Sequence, residues 1–553
     1  MGGGLTKAKK RASDTPPRAF VAFAGGGAKG LVHVGALRAL EKRKVEVQGY
    51  AGTSAGAIIA ALAAAGVTSD DMIHPTEDRS IIDELRRFDP DVTKLTDLFG
   101  PRRWPTIKAL GLLADRMEKA GLPTEVMIIF GFVLTAVLLT VTAFVSAIHG
   151  WVAAIIVMMV WVALLSLASI PFCLAASGLA QVETFRNSLG LYLSERLFGP
   201  GSTREVLMSD FDGITRPRLK IVASDITRQR MQLFSSDERA ETPVADAVAA
   251  SICLPLVFAP KRIAGVRFVD GGVVSNFPAW PFDEERALDG DAMTIGFQIG
   301  EPAQSVETPK RAAVWPVAVI QTALFGSVQL STRAVGRAEL ITLKPSLKLL
   351  AFDITLDRAR QEVADATRGA LAEIDRRLFR FPEIYRSACE NARNQALRTL
   401  ETSPSALRNP RRIGRIRCAV ALPRASQPHS LAVRYGVGYE DDADGDLLLP
   451  IAASLAGEAW RTGTAKYEPH AIKRGKELHR QQDAALRRRV PRDLAWSLRV
   501  PISNSKRERV LVVLVDGSGV LNDSDDAREW VETFADTVEK LFQPVVRQFE
   551  EEG

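Results

Sequence analysis

Two glycine-rich turns near the start of the chain decide its fold: Gly25-Gly26-Gly27-Ala28-Lys29-Gly30 and Gly52-Thr53-Ser54-Ala55-Gly56. Each turn follows an apolar run and precedes a run of helix-forming residues, so each is predicted to join a strand to a helix. The second turn has the G-x-S-x-G pattern, in which a serine occupies a strained corner and its hydroxyl projects from the sheet. The first turn would supply unpaired backbone N–H groups at the start of a helix, and such groups can hold an oxyanion. Together the turns predict an α/β fold in which Ser54 is a candidate nucleophile.

Either turn alone leaves the function open. A glycine-rich loop after a strand can instead bind a phosphate, as in nucleotide-dependent enzymes. This loop lacks the lysine–serine/threonine pair of a P-loop and the G-x-G-x-x-G spacing, and neither Glu41 nor Glu46 is distinctive of ribose binding. A G-x-S-x-G pattern without further support also occurs as an ordinary turn of small residues.

A third element favours hydrolysis. The segment 266–276 is an apolar strand that ends in Asp270-Gly271-Gly272. A hydrolytic serine needs a base, and of the 6 histidines only His33 lies near the motifs, where a structural hydrogen bond is its expected role. A carboxylate at the end of a strand can accept the serine proton directly. We therefore predict a two-residue catalytic unit of Ser54 and Asp270.

The three elements, in this order, resemble the patatin-like phospholipase family. Segments 219–225 and 248–258 are similar to further segments of that family, and the resemblance covers roughly residues 18–380. It implies a doubly wound α/β fold and a serine–aspartate lipid acyl hydrolase. Ser54 would be the nucleophile, Asp270 the proton acceptor, and the N–H groups of Gly25, Gly26 and Gly27 the oxyanion hole. The residues that flank these groups in the motifs are Ala28, Lys29, Gly30, Gly52, Gly56, Gly271 and Gly272, and Lys29 stands where many relatives carry arginine.

One long apolar stretch departs from the usual pattern of that family. Residues 127–148 and 151–176 carry no charged side chain, and the 22 residues of the first segment would span about 33 Å as a helix. About 20 apolar residues are enough to cross a bilayer, so both segments are predicted to be transmembrane helices. A break at His149-Gly150 would join them into a hairpin within the catalytic domain. A buried hairpin of a soluble core is the alternative, although such cores seldom contain two uncharged runs of this length.

Charge predicts the orientation of this hairpin. Lysine and arginine lie on both flanks, whereas the turn offers only His149. The flanking residues are Lys108, Arg116, Lys119, Arg186 and Arg196. Because these residue types favour the cytoplasmic side, we predict a two-pass inner-membrane protein with its catalytic and C-terminal domains in the cytoplasm. Residues 1–17 are predicted to be a disordered polar tail without a signal peptide.

The composition agrees with this location. The net charge of +6 and the pI of about 9.1 are mildly basic, which favours anionic lipid head groups. No stripe of basic and aromatic residues indicates nucleic-acid binding. The 4 cysteines are scattered, as in a reduced cytosolic protein. No cofactor is expected, and no cluster of Cys and His residues has the spacing of a metal site.

The C-terminal third is predicted to be a separate domain. A charged helical pattern ends near Glu401, and the proline-containing residues 401–410 form a predicted linker after a catalytic domain of residues 18–400. The order of strands and helices in residues 411–553 resembles a GAF domain, a small sensory α/β module. GAF ligands vary widely, so a small-molecule ligand, a protein ligand and a purely structural or dimerising role all stay open.

The sequence thus predicts a membrane-embedded, patatin-like hydrolase that cleaves carboxylic esters of lipids, including phospholipids, and carries a GAF-like regulatory domain. Membrane lipids are the expected partners, and both the hairpin and the GAF-like domain could support a homodimer. One alternative is a catalytically silent, membrane-anchored signalling or scaffold protein that acts through the GAF-like domain. Another is a nucleotide-dependent enzyme that uses residues 25–30.

Overall fold

The computed structural model describes most of the chain in separate ranges. These are residues 17–99, 180–288, 292–300, 338–347, 351–439, 447–470 and 494–551, with gaps at 91, 93–94, 256 and 425–426, and isolated helical residues between 133 and 162 and at 322. The chain divides into two compact units, residues 1–374 and 375–553. The predicted tail lies outside the described residues except for Pro17.

The first unit is built on a mixed sheet with helices. Its strands are β1 (Arg18–Phe23), β2 (Glu46–Thr53), β3 (Arg218–Asp225), β4 (Arg230–Phe234), β5 (Lys261–Ile263), β6 (Val266–Asp270), β7 (Met293–Ile299) and β8 (Ala338–Leu343). Its helices are α1 (Val32–Lys42), α2 (Ala55–Ala64), α3 (Ser69–Met72), α4 (Ile81–Arg86), α5 (Glu183–Phe198), α6 (Val244–Ser251), α7 (Gly272–Ser275), α8 (Asp283–Leu288) and α9 (Leu356–Ile374). Short helical turns span Gly27–Leu31, Leu95–Phe99 and Met208–Asp210.

The described strands of this unit form an eight-stranded sheet in the order β5-β6-β3-β2-β1-β7-β8, with β4 also paired to β3. The five strands β3, β2, β1, β7 and β8 run parallel, whereas β4 and β6 run antiparallel to β3. The prediction of an α/β sheet is confirmed, and the sheet is mixed.

The pairing around β3 positions the functional residues. β4 pairs with one edge of β3 along residues 221–225. β2 and β6 pair with some of the same residues of β3, so both lie along its other edge. Thr53 at the end of β2 opposes Val222, and Asp270 at the end of β6 opposes Ala223. The two strand ends therefore meet on neighbouring residues of β3, which brings Ser54 beside Asp270.

Close packing of α2 against the sheet depends on small side chains. The helix consists largely of alanine and is buried along nearly its whole length. A Cβ on Gly56 would overlap the carbonyl oxygen of Phe23, and one on Gly52 would overlap that of Gly56. The glycines of the G-x-S-x-G pattern are thus required by the approach of backbone to backbone.

The second unit contains an antiparallel sheet. Its strands are β9 (Ile416–Arg424), β10 (Gln427–Val437), β11 (Leu448–Pro450), β12 (Lys466–Glu468), β13 (Trp496–Ser503) and β14 (Arg509–Gly517), in the order β11-β10-β9-β14-β13-β12. Its helices are α10 (Phe381–Thr402), α11 (Leu455–Thr462) and α12 (Asp525–Glu551). α10 and α12 bury one face of the sheet in a core that includes Cys389, Trp496 and Phe534, and α11 packs on the other face near Val512.

The division between the units lies upstream of the predicted linker, residues 401–410. α10 ends within that segment, and the proline that indicated a linker, Pro404, begins a short helical turn. Ala406 and Leu407 are buried in the core of the second unit. The segment therefore belongs to that unit because its apolar side chains pack there.

The predicted hairpin, residues 127–148 and 151–176, falls largely outside the described residues. Those of its residues that are described, between 133 and 162, are helical and expose large apolar side chains such as Phe144 and Trp151. In the ranges that the structure describes, no helix has both the length and the apolar composition needed to cross a bilayer.

The close approach of Gly271 to β3 provides a test of the strand-end geometry. A Cβ on Gly271 would overlap the carbonyl oxygen of Val222, so Gly271→Ala should lower the free energy of unfolding by about 1–3 kcal/mol. Gly190→Ala in α5 is the matched control, since its Cβ would lie 3.5 Å from Ala245 Cβ, an ordinary contact. That control should be neutral or stabilise the helix by up to about 1 kcal/mol. Chemical denaturation measures both, and equal effects would contradict the geometry.

The boundary of the second unit can be tested with two fragments. Residues 375–553 should fold alone, because α10 supplies Ala392, Ala396 and Leu400 to the core of that unit. A fragment that begins at residue 408 lacks α10 and should give no cooperative thermal transition by circular dichroism. Cooperative folding of the shorter fragment would show that α10 is dispensable.

Candidate active site

Ser54 occupies a strained corner between β2 and α2. Its backbone has φ 55° and ψ −128°, a conformation that non-glycine residues rarely adopt. Such strain persists only where the surrounding structure imposes it, and it often marks a functional residue. The corner lies at the C-terminal end of the parallel strands, where the G-x-S-x-G pattern predicts the serine.

The Ser54 hydroxyl donates a hydrogen bond to Asp270. The distance from Ser54 Oγ to Asp270 Oδ2 is 2.6 Å, and Asp270 Oδ1 accepts the Gly272 N–H at 2.7 Å. The two side chains come from positions 216 residues apart in the chain. Asp270 is only 1% exposed and Ser54 is 8% exposed. The structure thus brings together the two residues that the sequence singled out.

Burial sets the basicity of Asp270. It raises the pKa of the carboxyl group to about 6, against the opposing effect of the hydrogen bonds from Ser54 and Gly272. At neutral pH the carboxylate is therefore still charged, but it holds a proton more readily than an exposed aspartate. Both properties suit a group that accepts a proton from a hydroxyl and returns it.

Three hydroxyl groups that the sequence analysis did not identify support this pair. Ser251 Oγ accepts the Ser54 N–H at 2.9 Å and donates to the Val222 carbonyl at 2.6 Å. Ser224 Oγ donates to the Asp270 carbonyl at 2.8 Å, and Thr53 Oγ1 donates to the Ser275 carbonyl at 2.9 Å. Ser224 and Ser251 lie in the two segments that resembled the family, but only the folded chain assigns them these partners.

The glycine loop faces Ser54. A Cβ on Gly25 would lie 3.0 Å from Ser54 Cβ and would overlap the side-chain oxygen of Asn276. The Gly25 N–H already donates to the Asn276 carbonyl at 2.9 Å. Within the described residues, no acceptor is recorded for the N–H groups of Gly26 and Gly27. Of the three predicted oxyanion donors, the structure thus leaves these two available.

The residues after these glycines hold the loop against the elbow. Ala28, Lys29 and Gly30 form the helical turn Gly27–Leu31, in which Lys29 is half-buried. A Cβ on Gly30 would overlap Ala55 Cβ at the start of α2. The glycine at this position therefore allows the loop to lie directly on the helix that follows Ser54.

His33 bonds the backbone that precedes the glycine loop. Its Nε2 donates to the Ala24 carbonyl at 2.8 Å, and its Nδ1 finds no hydrogen-bond partner among the described residues. Burial lowers the pKa of the imidazole to about 4, so the ring is neutral. The predicted structural role of His33 agrees with this contact, which holds the chain just before the glycine loop.

The described residues contain no group of three or more His, Cys, Asp or Glu side chains arranged to hold a metal ion.

Comparison with known proteins agrees with this geometry. Residues 21–283, just under half of the chain, match the family model for patatin-like phospholipase. An uncharacterized protein of Bacillus subtilis, YqhO, is 27% identical over 279 residues, which are 48% of this chain and 66% of YqhO. The match thus spans just under two thirds of the length of that relative.

Solved structures match both units at low scores. VipD from Legionella pneumophila has a TM-score of 0.32 and 17% identity over 66% of this chain and 67% of its own. The GAF domain of a sensor histidine kinase from Bacillus halodurans has a TM-score of 0.19 and 16% identity over 29% of this chain and 97% of its own.

The raised pKa of Asp270 predicts a pH profile. If the carboxylate accepts the Ser54 proton, kcat/KM for a short-chain ester should rise with pH and reach half its maximum near pH 6. The folded state binds this proton more tightly than the unfolded state. The free energy of unfolding should therefore decrease as the pH rises from about 4 to about 6. A stopped assay across pH 4–9 measures the first effect and thermal unfolding the second. A rate that is flat through pH 6 would contradict the assignment.

Proposed function

We propose that the protein is a lipid acyl hydrolase that uses Ser54 as nucleophile and Asp270 as base. The hydrogen bond of 2.6 Å between Ser54 Oγ and Asp270 Oδ2, on a strained elbow within a patatin-like domain, carries the proposal. In the first step Ser54 Oγ attacks the ester carbonyl carbon while its proton passes to Asp270 Oδ2. The carbonyl electrons move to the oxygen, where the N–H groups of Gly26 and Gly27 stabilise the charge.

The same aspartate then serves both halves of the reaction. As the tetrahedral intermediate collapses, the alcohol leaves with the proton held on Asp270, and an acyl-Ser54 ester remains. Water attacks this ester and gives its proton to Asp270, and the collapse of the second intermediate returns a proton to Ser54 Oγ and releases the fatty acid. A carboxyl group with a pKa of about 6 can take and return the proton at each step near neutral pH.

The nucleophile and the base can be tested together. Ser54→Ala and Asp270→Asn should each reduce turnover by about a thousandfold or more, and the double variant should lose little more, because the two groups act as one unit. Asp225→Asn is the matched control, since Asp225 is equally buried on the neighbouring strand but pairs with Arg228. It should affect stability more than turnover. His33→Ala should likewise cost far less activity than Asp270→Asn.

A serine-reactive fluorophosphonate probe separates this function from its alternatives. Wild-type protein should be labelled and Ser54→Ala should not. A silent scaffold predicts no labelling of either protein, and a nucleotide-dependent enzyme predicts nucleotide binding that persists in Ser54→Ala. Loss of activity in His33→Ala with retention in Asp270→Asn would replace the aspartate with a histidine base.

We further propose that residues 127–148 and 151–176 cross the inner membrane as a hairpin, with both protein units on the cytoplasmic side. The uncharged sequence and the basic flanks support this, as do the exposed apolar side chains between residues 133 and 162. Gly150 has φ +81°, a conformation suited to a reversal of the chain at the predicted turn.

This topology predicts two measurements. The protein should resist extraction from membranes by carbonate at high pH, because transmembrane helices remain in the bilayer. A cysteine in place of His149 should react with an impermeant thiol reagent added outside cells, whereas one placed in the exposed Thr227–Arg228 turn should not. Extraction by carbonate would contradict spanning.

For the second unit we propose a GAF-like regulatory role. The support is the antiparallel sheet with α10 and α12 on one face and α11 on the other. A small-molecule or protein ligand of this unit, and a homodimer, remain part of the proposal. Membrane lipids are the proposed substrates of the first unit.

A further inference from the structure

Exposed apolar side chains gather near the C-terminal end of β3. Outside residues 133–162, the large apolar side chains that are exposed in the described part of the first unit are Ile214, Ile226, Met231, Val274 and Leu288. Ile226, Met231 and Val274 are 43%, 39% and 37% exposed and follow or adjoin the strand ends that hold the site. Ile214 and Leu288 precede β3 and β7, so they lie at the opposite end of these parallel strands.

Strand register places two of these residues on one face with an arginine. Met231 opposes Ser224, and the Ile226 N–H donates to the Arg267 carbonyl at 3.1 Å. Ser224 and Ile226 are two residues apart, so their side chains project from the same face of the sheet. Since opposed residues share a face, Ile226, Met231 and Arg267 lie together.

The same face carries a second arginine and α7. Arg262 on β5 opposes Arg267 on β6, and both are exposed. Thr53 opposes Val222, two residues before Ser224, and its hydroxyl bonds the Ser275 carbonyl at the end of α7. Val274 therefore belongs to this side of the sheet. We call Ile226, Met231, Val274, Arg262 and Arg267 the arginine face.

Positive charge is in excess at this surface. Arg228, in the turn between β3 and β4, and Arg230, the first residue of β4 and on the opposite face from Met231, share one carboxylate, that of the buried Asp225. Among the residues that the structure describes, no carboxylate pairs with Arg262 or Arg267. Arg267 lies three residues from Asp270 along β6, a distance of about 10 Å.

We propose that the arginine face docks on the surface of a bilayer rich in anionic phospholipids and so presents lipid esters to Ser54. Arginine binds phosphate through a planar fork of donors, and neighbouring apolar side chains insert shallowly beside the head groups. Three apolar side chains, each less than half exposed, fall short of the roughly 800 Å² per partner of a typical stable protein interface. The excess of arginine favours an anionic lipid surface instead. This inference rests on the proposed lipid hydrolase function.

Binding to vesicles tests the surface independently of catalysis. Full-length protein held in an amphipathic polymer is mixed with vesicles of phosphatidylcholine, with or without 30% phosphatidylglycerol. Arg262→Gln/Arg267→Gln should weaken binding to the anionic vesicles by about tenfold or more. The double variant should then bind vesicles with and without phosphatidylglycerol equally well. Ile226→Ser/Met231→Ser should weaken binding to both kinds of vesicle.

The chain offers matched controls for both double variants. Ile214→Ser/Leu288→Ser removes exposed apolar side chains from the opposite end of the sheet, and Arg79→Gln/Arg368→Gln removes exposed arginines elsewhere. Both controls should bind vesicles within about twofold of wild type. Binding by the arginine-face variants that equals wild type, as expected if a protein were the partner, would overturn the proposal.

Kinetics distinguish failure of this proposal from failure of the proposed function. The arginine-face variants should raise the apparent KM for phosphatidylglycerol in mixed micelles by about tenfold, while hydrolysis of p-nitrophenyl butyrate and labelling of Ser54 stay unchanged. Equal losses on both substrates would assign these residues to support of the site and overturn the docking role. If wild type is neither labelled nor active, the hydrolase function fails, and vesicle binding still decides whether the arginine face docks on lipid.

Discussion

The end-to-end meeting of β2 and β6 along one edge of β3 is the constraint on which the site depends. β2 runs parallel to β3 and stops at Thr53, and β6 arrives from the opposite direction and stops at Asp270. One residue of a strand spans about 3.3 Å, so a shift by a single residue in either strand would separate the hydroxyl from the carboxylate. Such a shift would also turn the side chain to the other face of the sheet.

The site combines two features that oppose folding. The backbone of Ser54 is strained at a cost of about 1–3 kcal/mol, and Asp270 carries its charge although its residue is almost fully buried. Hydrogen bonds offset part of both costs, since Ser251 satisfies the Ser54 N–H and Gly272 donates to the carboxylate. The remaining cost appears as the raised pKa of Asp270, which is the property that makes the carboxylate a usable base.

The sequence predicted those parts of the site that local patterns encode. The G-x-S-x-G turn identified Ser54, and a strand that ends in aspartate and two glycines identified Asp270, because both conformations need glycine at fixed offsets. The occupied N–H of Gly25 and the role of Ser251 could not be predicted, since each depends on a partner that is distant in sequence.

The boundary between the units also depends on packing that local patterns do not encode. The Pro404 region has the composition of a linker, but the burial of Leu407 is decided by the strands and helices that fold around it. The mixed character of the sheet was equally hidden, because an apolar run predicts a strand without giving its direction.

The position of the longest insertion explains how the fold tolerates it. The predicted hairpin lies in the segment between β2 and β3, and these strands pair in parallel from Gly49 to Thr53 whatever the intervening chain does. The entropy cost of closing such a connection grows only slowly with its length. The nucleophile is fixed by β2 and the base by β6, and both strands take their register from β3. A long apolar insertion can therefore be added between β2 and β3 without displacing Ser54 from Asp270.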